Sequence, residues 1–216
     1  MKPGAPTHRE VCRAVVGYLL DQPWADAACW ELKVGDHQLD ALAVSAGLSA
    51  AKDAASVELW RRQAESARAR GRPSPPGPRR INPRVAVVEV KVSRQDLCAG
   101  AKRGQFAAYG ASDALRPTHC SVAVWDGAMC EPGGRGDVAA ALAAAGVPTS
   151  WGVMIVRRGS SRLLVDTLRP AARERPTPDL AHRLGLVELM ARSLAYRVLS
   201  RSSPEDESYP RRVGRE

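Results

Sequence analysis

The segment Val85-Ala86-Val87-Val88-Glu89-Val90-Lys91-Val92 is the most hydrophobic strand signal in the chain, and it decides the fold class. Its nearly continuous apolar character predicts a central strand that is covered on both faces. Around it, alternating or apolar segments predict further strands, and helical periodicity predicts helices before, between and after them. The expected fold is therefore α/β, with a mixed central β-sheet of four to six strands flanked by helices.

The remaining elements follow from periodicity and from turn signals. Further strands are predicted at residues 29–34, 38–44, 120–125, 151–157 and 162–167, and Gly35-Asp36 joins the first two as a hairpin. Trp30, Leu32 and Val34 are expected to face the same way. Helices are predicted after the capping box of Thr7 and Glu10, over residues 95–110, and over residues 179–200. The last helix has an expected apolar stripe of Leu180, Leu184, Val187, Leu194 and Val198.

Composition indicates an ordinary globular domain. The 216 residues are 44% hydrophobic and 25% charged, which excludes a disordered, collagen-like or coiled-coil chain. The chain has no apolar run long enough for a transmembrane helix and no apolar signal-peptide core, so we expect a cytoplasmic protein without a membrane partner. Five cysteines without a CxxC pair and four scattered histidines exclude a zinc ribbon, and no histidine is given a catalytic role.

Positive charge is concentrated in one segment. Between Lys52 and Arg84, nine Lys and Arg residues face three Asp and Glu residues, which places six of the nine net positive charges there. We interpret residues 48–84 as a basic Arg/Pro-rich insertion within a single domain of residues 7–200, followed by a disordered charged tail at 201–216. A basic segment favours nucleic acid as the partner, and a solvated linker is the alternative.

Two carboxylates and a lysine occupy unusual positions for charged residues. Asp40 lies in a predicted apolar strand, and Glu89 and Lys91 lie in the most hydrophobic one. Residues two apart on a strand share a face, so Glu89 and Lys91 should point together. Burial of these charges is costly unless they are paired or bind a metal. An antiparallel neighbour carrying Asp40 would complete a pair of oxygen ligands suited to Mg²⁺, with Lys91 beside them.

These residues resemble a known family. Asp40, then Glu89-Val90-Lys91, then a helix containing Gln105-Phe106-Ala107-Ala108-Tyr109, resembles the PD-(D/E)XK nuclease superfamily. The stretch at 87–97 looks most like its MmcB-like branch of DNA-repair nucleases. The resemblance implies a restriction-endonuclease-like core of a helix, a three-strand meander, a helix and a further strand. It also implies that Asp40, Glu89 and the Val90 carbonyl hold Mg²⁺ or Mn²⁺, and that Lys91 is the motif lysine. Gln105 and Tyr109 match a QxxxY feature that contacts the substrate backbone.

The [DE]xK pattern, an acidic residue two positions before a lysine, occurs a second time in the chain, and we reject that copy. Glu31-Leu32-Lys33 also fits [DE]xK, but a hairpin turn follows it where the family has a helix, and no strand aspartate precedes it. The Glu89 copy has a preceding strand aspartate and a following helix, so we assign the chemistry to Asp40, Glu89 and Lys91.

The sequence therefore predicts an Mg²⁺-dependent DNA endonuclease, or a repair or recombination nuclease. The alternative is a catalytically inactive nuclease fold that binds nucleic acid as an accessory protein. RNA remains an alternative partner, and a homodimer is a further option. Glu10 is a candidate additional ligand or only a cap, and Gln105 and Tyr109 could serve packing alone. The predicted nucleic-acid contacts are Arg61, Arg62, Arg68, Arg70, Arg79, Arg80, Lys102 and Arg103.

Overall fold

A computed structural model describes residues 4–45, 48–73, 83–129 and 138–201. It contains one six-stranded sheet in the spatial order β1-β2-β3-β4-β5-β6. The strands are β1 (Ala27–Val34), β2 (His37–Val44), β3 (Val85–Lys91), β4 (His119–Trp125), β5 (Gly152–Arg158) and β6 (Leu163–Arg169). The β3–β4 and β4–β5 pairs are parallel and the other three are antiparallel, so the predicted mixed sheet is confirmed.

Seven helices accompany the sheet in the described part of the chain. They are α1 (His8–Leu20), α2 (Leu48–Ala69), α3 (Arg94–Lys102), α4 (Gln105–Ala111), α5 (Asp126–Met129), α6 (Val138–Ala144) and α7 (Leu180–Arg201). The predicted capping box is present, because Thr7 and Glu10 satisfy each other's backbone amides at the start of α1. None of these helices combines the length and hydropathy that a membrane span requires.

The sheet separates two hydrophobic layers. Helix α1 packs on one face, which we call the α1 side, against Ala86, Val88 and Val90 of β3. Helices α3, α4, α6 and α7 contribute to the opposite layer, the α3–α4 side, which contains Val85 and Val87. All residues of β3 are buried, which confirms the prediction of a strand covered on both faces. The alternation along β3 places Glu89 and Lys91 on the α3–α4 side.

Strand β1 changes face in its middle, which contradicts one prediction. Trp30 packs toward the α1 side, whereas Leu32 and Val34 belong to the α3–α4 layer. The switch occurs at Glu31, whose φ of 49° lies in the left-handed region. Arg197 of α7 donates hydrogen bonds to the carbonyls of Trp30 and Glu31, at 2.7 and 2.5 Å, and so holds the irregular backbone.

Two helix predictions also need correction. The predicted helix at 95–110 is two helices, because Gly104 adopts a left-handed φ of 66° between α3 and α4. The predicted stripe of α7 is wrong, since Leu180, Leu184 and Leu194 are exposed. The buried face of α7 instead carries Arg183, Leu186 and Met190, which lie three and four residues apart. Val187 is only partly buried, and the side chain of Val198 is outside the described residues.

The basic insertion is helical in its first part. Helix α2 lies between β2 and β3 in the chain and forms the first part of the insertion. The proline-rich continuation at 74–82 and the charged tail at 202–216 lie outside the described residues.

Candidate active site

The centre of the candidate site is a buried ion pair at the end of β3. Lys91 Nζ lies 2.7 Å from Glu89 Oε1, and the two residues are 2% and 1% exposed. Their spacing of two residues on one strand places both side chains on the same face, as the sequence predicted. Oε2 of Glu89 is buried and has no hydrogen-bond partner within the described residues. This oxygen is the one buried carboxylate oxygen in the described residues without a hydrogen-bond partner.

Helix α3 encloses the lysine. Lys91 Nζ donates to Gln105 Oε1 at 3.2 Å and lies 3.6 Å from Asp96 Oδ1. Ser93 caps α3 by accepting from the Asp96 amide, which fixes the first turn beside the lysine. A Cβ added at Gly100 would lie 2.9 Å from Gln105 Oε1 and 3.0 Å from Lys91 Nζ. The lysine therefore depends on a glycine for its space.

Gln105 and Tyr109 form a hydrogen-bonded chain that leads away from the lysine. Gln105 Nε2 donates to the Tyr109 hydroxyl at 3.1 Å, and that hydroxyl donates to the Gln38 carbonyl at 2.9 Å. Their separation of four residues on α4 allows this contact. Tyr109 is only 3% exposed, so the contact with substrate that the resemblance implies is closed to it in this conformation. Both residues hold Lys91 in position.

Asp40 is brought next to the ion pair from the neighbouring strand. The pairing of β2 with β3 runs from Val44↔Val85 to Ala41↔Val88, and Asp40 is the next residue. Its Oδ2 accepts a hydrogen bond of 2.8 Å from the Val90 amide. Its Oδ1 lies 3.3 Å from His8 Nε2 on α1. The strands that carry Asp40 and Glu89 are adjacent, as the sequence predicted.

The electrostatics of Glu89 reflect this crowding. Burial raises the pKa of Glu89 and repulsion from Asp40 raises it further, whereas Lys91 and the nearby Tyr109 hydroxyl, whose proton goes to the Gln38 carbonyl, oppose both effects. The carboxylates of Asp40 and Glu89 are thus near enough to repel each other. Each acid has a cationic neighbour, Lys91 beside Glu89 and His8 beside Asp40, which offsets this repulsion.

Sequence analysis missed three residues of the site. His8 is held by Asp40, whose hydrogen bond is the main factor that raises the His8 pKa to about 11. Asp96 and Gly100 surround Lys91 as described above. His8 and Cys12 are four residues apart in a predicted helix, and this spacing could have shown that they lie on the same face. For Asp96 and Gly100 the sequence gave no comparable indication.

Glu10 occupies a different place from that proposed for a metal ligand. Its Oε2 accepts from the Thr7 amide and hydroxyl, at 2.7 and 2.9 Å, in the capping box. It lines a groove of about 970 Å³ between α1 and the β5–β6 hairpin, together with Arg13 and Arg158. This groove is not lined by Asp40, Glu89 or Lys91, so its size does not identify the site. Capping is the role that the structure supports for Glu10.

The predicted basic contacts have mixed surroundings. Arg61 and Arg62 are exposed on α2 but form ion pairs with Glu58, and Arg61 also pairs with Glu65. Arg68 and Arg70 are exposed near the end of this helix. Lys102 and Arg103 are exposed at the break between α3 and α4, whereas Arg79 and Arg80 lie outside the described residues. The local charge of α2 is therefore lower than its arginine content suggests.

Comparisons with known proteins identify no family. No family model matches the chain. No curated protein matches it either. A solved structure described as the SPO1766 protein of unknown function from Silicibacter pomeroyi is similar over 98% of this chain and 99% of that chain. The two chains are 17% identical and superpose with a TM-score of 0.47.

Proposed function

We propose that this protein is an Mg²⁺-dependent nuclease that hydrolyses phosphodiester bonds of DNA, in repair or recombination. The observation that carries the proposal is the buried Oε2 of Glu89, which has no hydrogen-bond partner within the described residues. It lies in a site that already contains the Asp40 carboxylate and the Lys91 ammonium. A buried carboxylate oxygen without a donor is costly, and coordination of a cation would remove that cost.

The donor set fits a hard divalent cation. Asp40 and Glu89 offer carboxylate oxygens, and the Val90 carbonyl is the third ligand that the family resemblance implies. Mg²⁺ prefers such oxygen ligands and retains several waters. When bound, Mg²⁺ supplies a water of lowered pKa and polarises a phosphate oxygen.

Lys91 is suited to the phosphate. Its ammonium has three donors and no acceptor, and Glu89 and Gln105 take two of them in the described structure. A fixed ammonium can orient the attacking water or offset negative charge that develops on the phosphoryl group. The chain from Gln105 through Tyr109 to the Gln38 carbonyl limits the movement of the lysine. Such preorganisation is what distinguishes a catalytic lysine from a surface lysine.

The order of elements agrees with the core that the resemblance implies. Helix α1 precedes the β1–β2–β3 meander, α3 and α4 follow it, and the parallel strand β4 comes next. On this basis we propose a restriction-endonuclease-like core with α2 as an insertion in its meander.

A second candidate function is supported by the closed state of the site. Glu89 and Lys91 are almost fully buried and paired with each other, so a substrate phosphate has no direct path to the lysine. A protein that binds nucleic acid without cleaving it could keep this pair for structural reasons. Activity requires that α3 and α4 move, or that a metal draws Glu89 away from Lys91.

The test is a cleavage assay on end-labelled single-stranded, duplex and branched DNA, and on the matching RNA. The full chain is incubated with Mg²⁺, Mn²⁺ or EDTA. We expect metal-dependent cleavage of DNA that falls by about a hundredfold or more in Asp40→Asn, Glu89→Gln and Lys91→Ala. Binding of DNA, measured by fluorescence anisotropy, should persist in Asp40→Asn and Glu89→Gln, because removal of a carboxylate weakens repulsion of phosphate.

The rejected motif supplies the matched control. Glu31→Gln and Lys33→Ala change the same residue types on β1 and should leave cleavage unchanged. Equal cleavage by wild type and the Asp40, Glu89 and Lys91 variants would contradict the assignment. DNA binding without cleavage under either metal would support the accessory function. Cleavage of RNA alone would replace the substrate class.

The contribution of the basic helix is tested by salt dependence. Replacement of the exposed Arg68 and Arg70 by Gln should reduce the slope of log affinity against log salt by roughly one per lost phosphate contact. Arg61→Gln and Arg62→Gln should reduce it less, because Glu58 and Glu65 already engage these side chains. An unchanged slope in all variants would make α2 a passive insertion.

A further inference from the structure

His8, Cys12 and Asp40 form a cluster that the proposed nuclease mechanism does not use as a unit. His8 and Cys12 are four residues apart on α1 and therefore share one face of that helix. Asp40 reaches toward them from β2, with Oδ1 at 3.3 Å from His8 Nε2. Cys12 Sγ lies 3.6 Å from Nδ1 and 3.9 Å from Nε2 of the same ring.

The spacing of these atoms matches a metal coordination sphere. One nitrogen, one sulfur and one carboxylate oxygen lie within 4.8 Å of one another. A tetrahedral zinc ion has ligand bonds of about 2.0 to 2.3 Å, which places its ligand atoms about 3.3 to 3.8 Å apart. The distance from His8 Nε2 to Asp40 Oδ1 falls in this range, and that from Nε2 to Cys12 Sγ is close to it.

We infer that His8, Cys12 and Asp40 form a binding site for zinc or a similar transition metal, which shares only Asp40 with the proposed Mg²⁺ site. A thiolate and an imidazole select borderline metals such as Zn²⁺ and Co²⁺ and are poor ligands for Mg²⁺. A thiolate and a carboxylate together neutralise the two charges of the ion. Three protein ligands leave a fourth position for water, as in zinc sites that are not purely structural.

The burial of the cluster suits such a site. Cys12 is fully buried, and the side chains of Asp40 and His8 are 16% and 38% exposed. The ion would thus reach the thiol from the solvent side of the histidine, without unfolding of α1. Because Asp40 belongs to both sites, zinc at His8 and Cys12 would withdraw a ligand from the Mg²⁺ site. If the proposed function is correct, Zn²⁺ should therefore inhibit Mg²⁺-dependent cleavage.

The experiment is a titration of the metal-free full chain with Co²⁺ in the absence of DNA, followed by ultraviolet and visible absorption. We expect a thiolate-to-cobalt charge-transfer band, intense tetrahedral d–d bands and saturation at one ion per chain, with loss of the bands on addition of Zn²⁺. Zn²⁺ at about a hundredfold excess over its dissociation constant should also raise the melting temperature by about 5–10 °C.

Substitutions identify the residues that produce the absorption bands. Cys12→Ala should abolish the charge-transfer band, whereas Cys98→Ala and Cys29→Ala, which remove an exposed and a buried thiol elsewhere, should retain it. If Cys12→Ala does not fold, His8→Ala keeps the thiol and should weaken Co²⁺ binding at least tenfold. Absence of the bands in the wild type, or their persistence in Cys12→Ala, would overturn the inference. The titration needs no cleavage, so its outcome is separate from that of the nuclease assay.

Discussion

Two ion pairs lie near the end of the β2–β3 pairing, and they differ in solvent exposure. On the α3–α4 side, Glu89 and Lys91 form an ion pair whose side chains are 2% and 3% exposed. His8, on the α1 side, pairs with Asp40 at the end of the β2–β3 ladder, and these side chains are 38% and 16% exposed. Lys91 of the first pair is hydrogen-bonded to Gln105, which is in turn bonded to Tyr109, and water is excluded. The second pair remains partly exposed to solvent. The two pairs therefore differ in how far water can reach their charges.

The largest test of this comparison removes one partner from each pair. Lys91→Ala should lower the free energy of unfolding by about 3–5 kcal/mol, because it leaves Glu89 buried without its counter-ion. His8→Ala should lower it by at most about 1 kcal/mol, because water can solvate Asp40. Urea unfolding of the metal-free protein measures both.

The double variant Glu89→Leu with Lys91→Met sharpens that test. Replacement of a buried ion pair by apolar residues of similar volume is often neutral, so its stability should lie within about 1 kcal/mol of wild type. Equal losses in Lys91→Ala and His8→Ala would contradict the difference between the two sides.

The next prediction concerns the space around the buried lysine. Gly100→Ala places a methyl group about where Gln105 Oε1 and Lys91 Nζ now lie. We expect a loss of about 1–3 kcal/mol from overpacking. Gly17→Ala on α1 is the matched control, since a Cβ there meets nothing within 4 Å and the residue is exposed. The control should gain about 0.5–1 kcal/mol from reduced chain entropy, and a gain in Gly100→Ala would show that the lysine can move freely.

A pH effect is expected at His119, the first residue of β4. Burial, with Arg84 and Arg173 nearby, lowers the pKa of His119 to about 4. Because the unfolded chain binds the proton more readily, His119 stabilises the fold above about pH 6.5, and this contribution is lost as the pH falls toward 4.

Its size should be on the order of 1 kcal/mol once the partial exposure of the ring is discounted. His119→Gln should flatten the stability profile between pH 4 and 6.5, as measured by thermal melting, and leave the dependence that arises from the carboxylates. A profile unchanged by this substitution would contradict the role given to His119.

The smallest expected effect is at the change of face in β1. Glu31 has a φ of 49°, which is strained for a residue with a Cβ. Glu31→Gly should raise the free energy of unfolding by about 0.5–1 kcal/mol, and Glu31→Val should lower it. Arg197, and not the Glu31 side chain, holds the irregular backbone. Neither substitution should therefore change the absorption bands expected for Co²⁺ at the proposed site of His8, Cys12 and Asp40.

Much of the fold could be predicted because its signals are local. The apolar run of β3 and the alternation of the other strands gave all six strands, with boundaries close to those observed. The end of the helix at Arg103 and Gly104 was missed, because neither residue is a strong terminator without knowledge of its φ. The face of α7 was also missed, since Leu180, Leu184 and Leu194 fit a helical stripe as well as the buried Leu186 and Met190 do.

The sequence by itself determined which charged residues of the sheet would need partners. A glutamate and a lysine two residues apart in an apolar strand must share a face and must be compensated, whatever packs around them. Tertiary structure decided which residues contact these charged side chains. Asp96, Gln105 and Gly100 meet Lys91 because α3 folds back over β3, and His8 meets Asp40 because α1 lies on the other face. These contacts join residues whose sequence separation carries no periodic signal, so only packing of the helices on the sheet could bring them together.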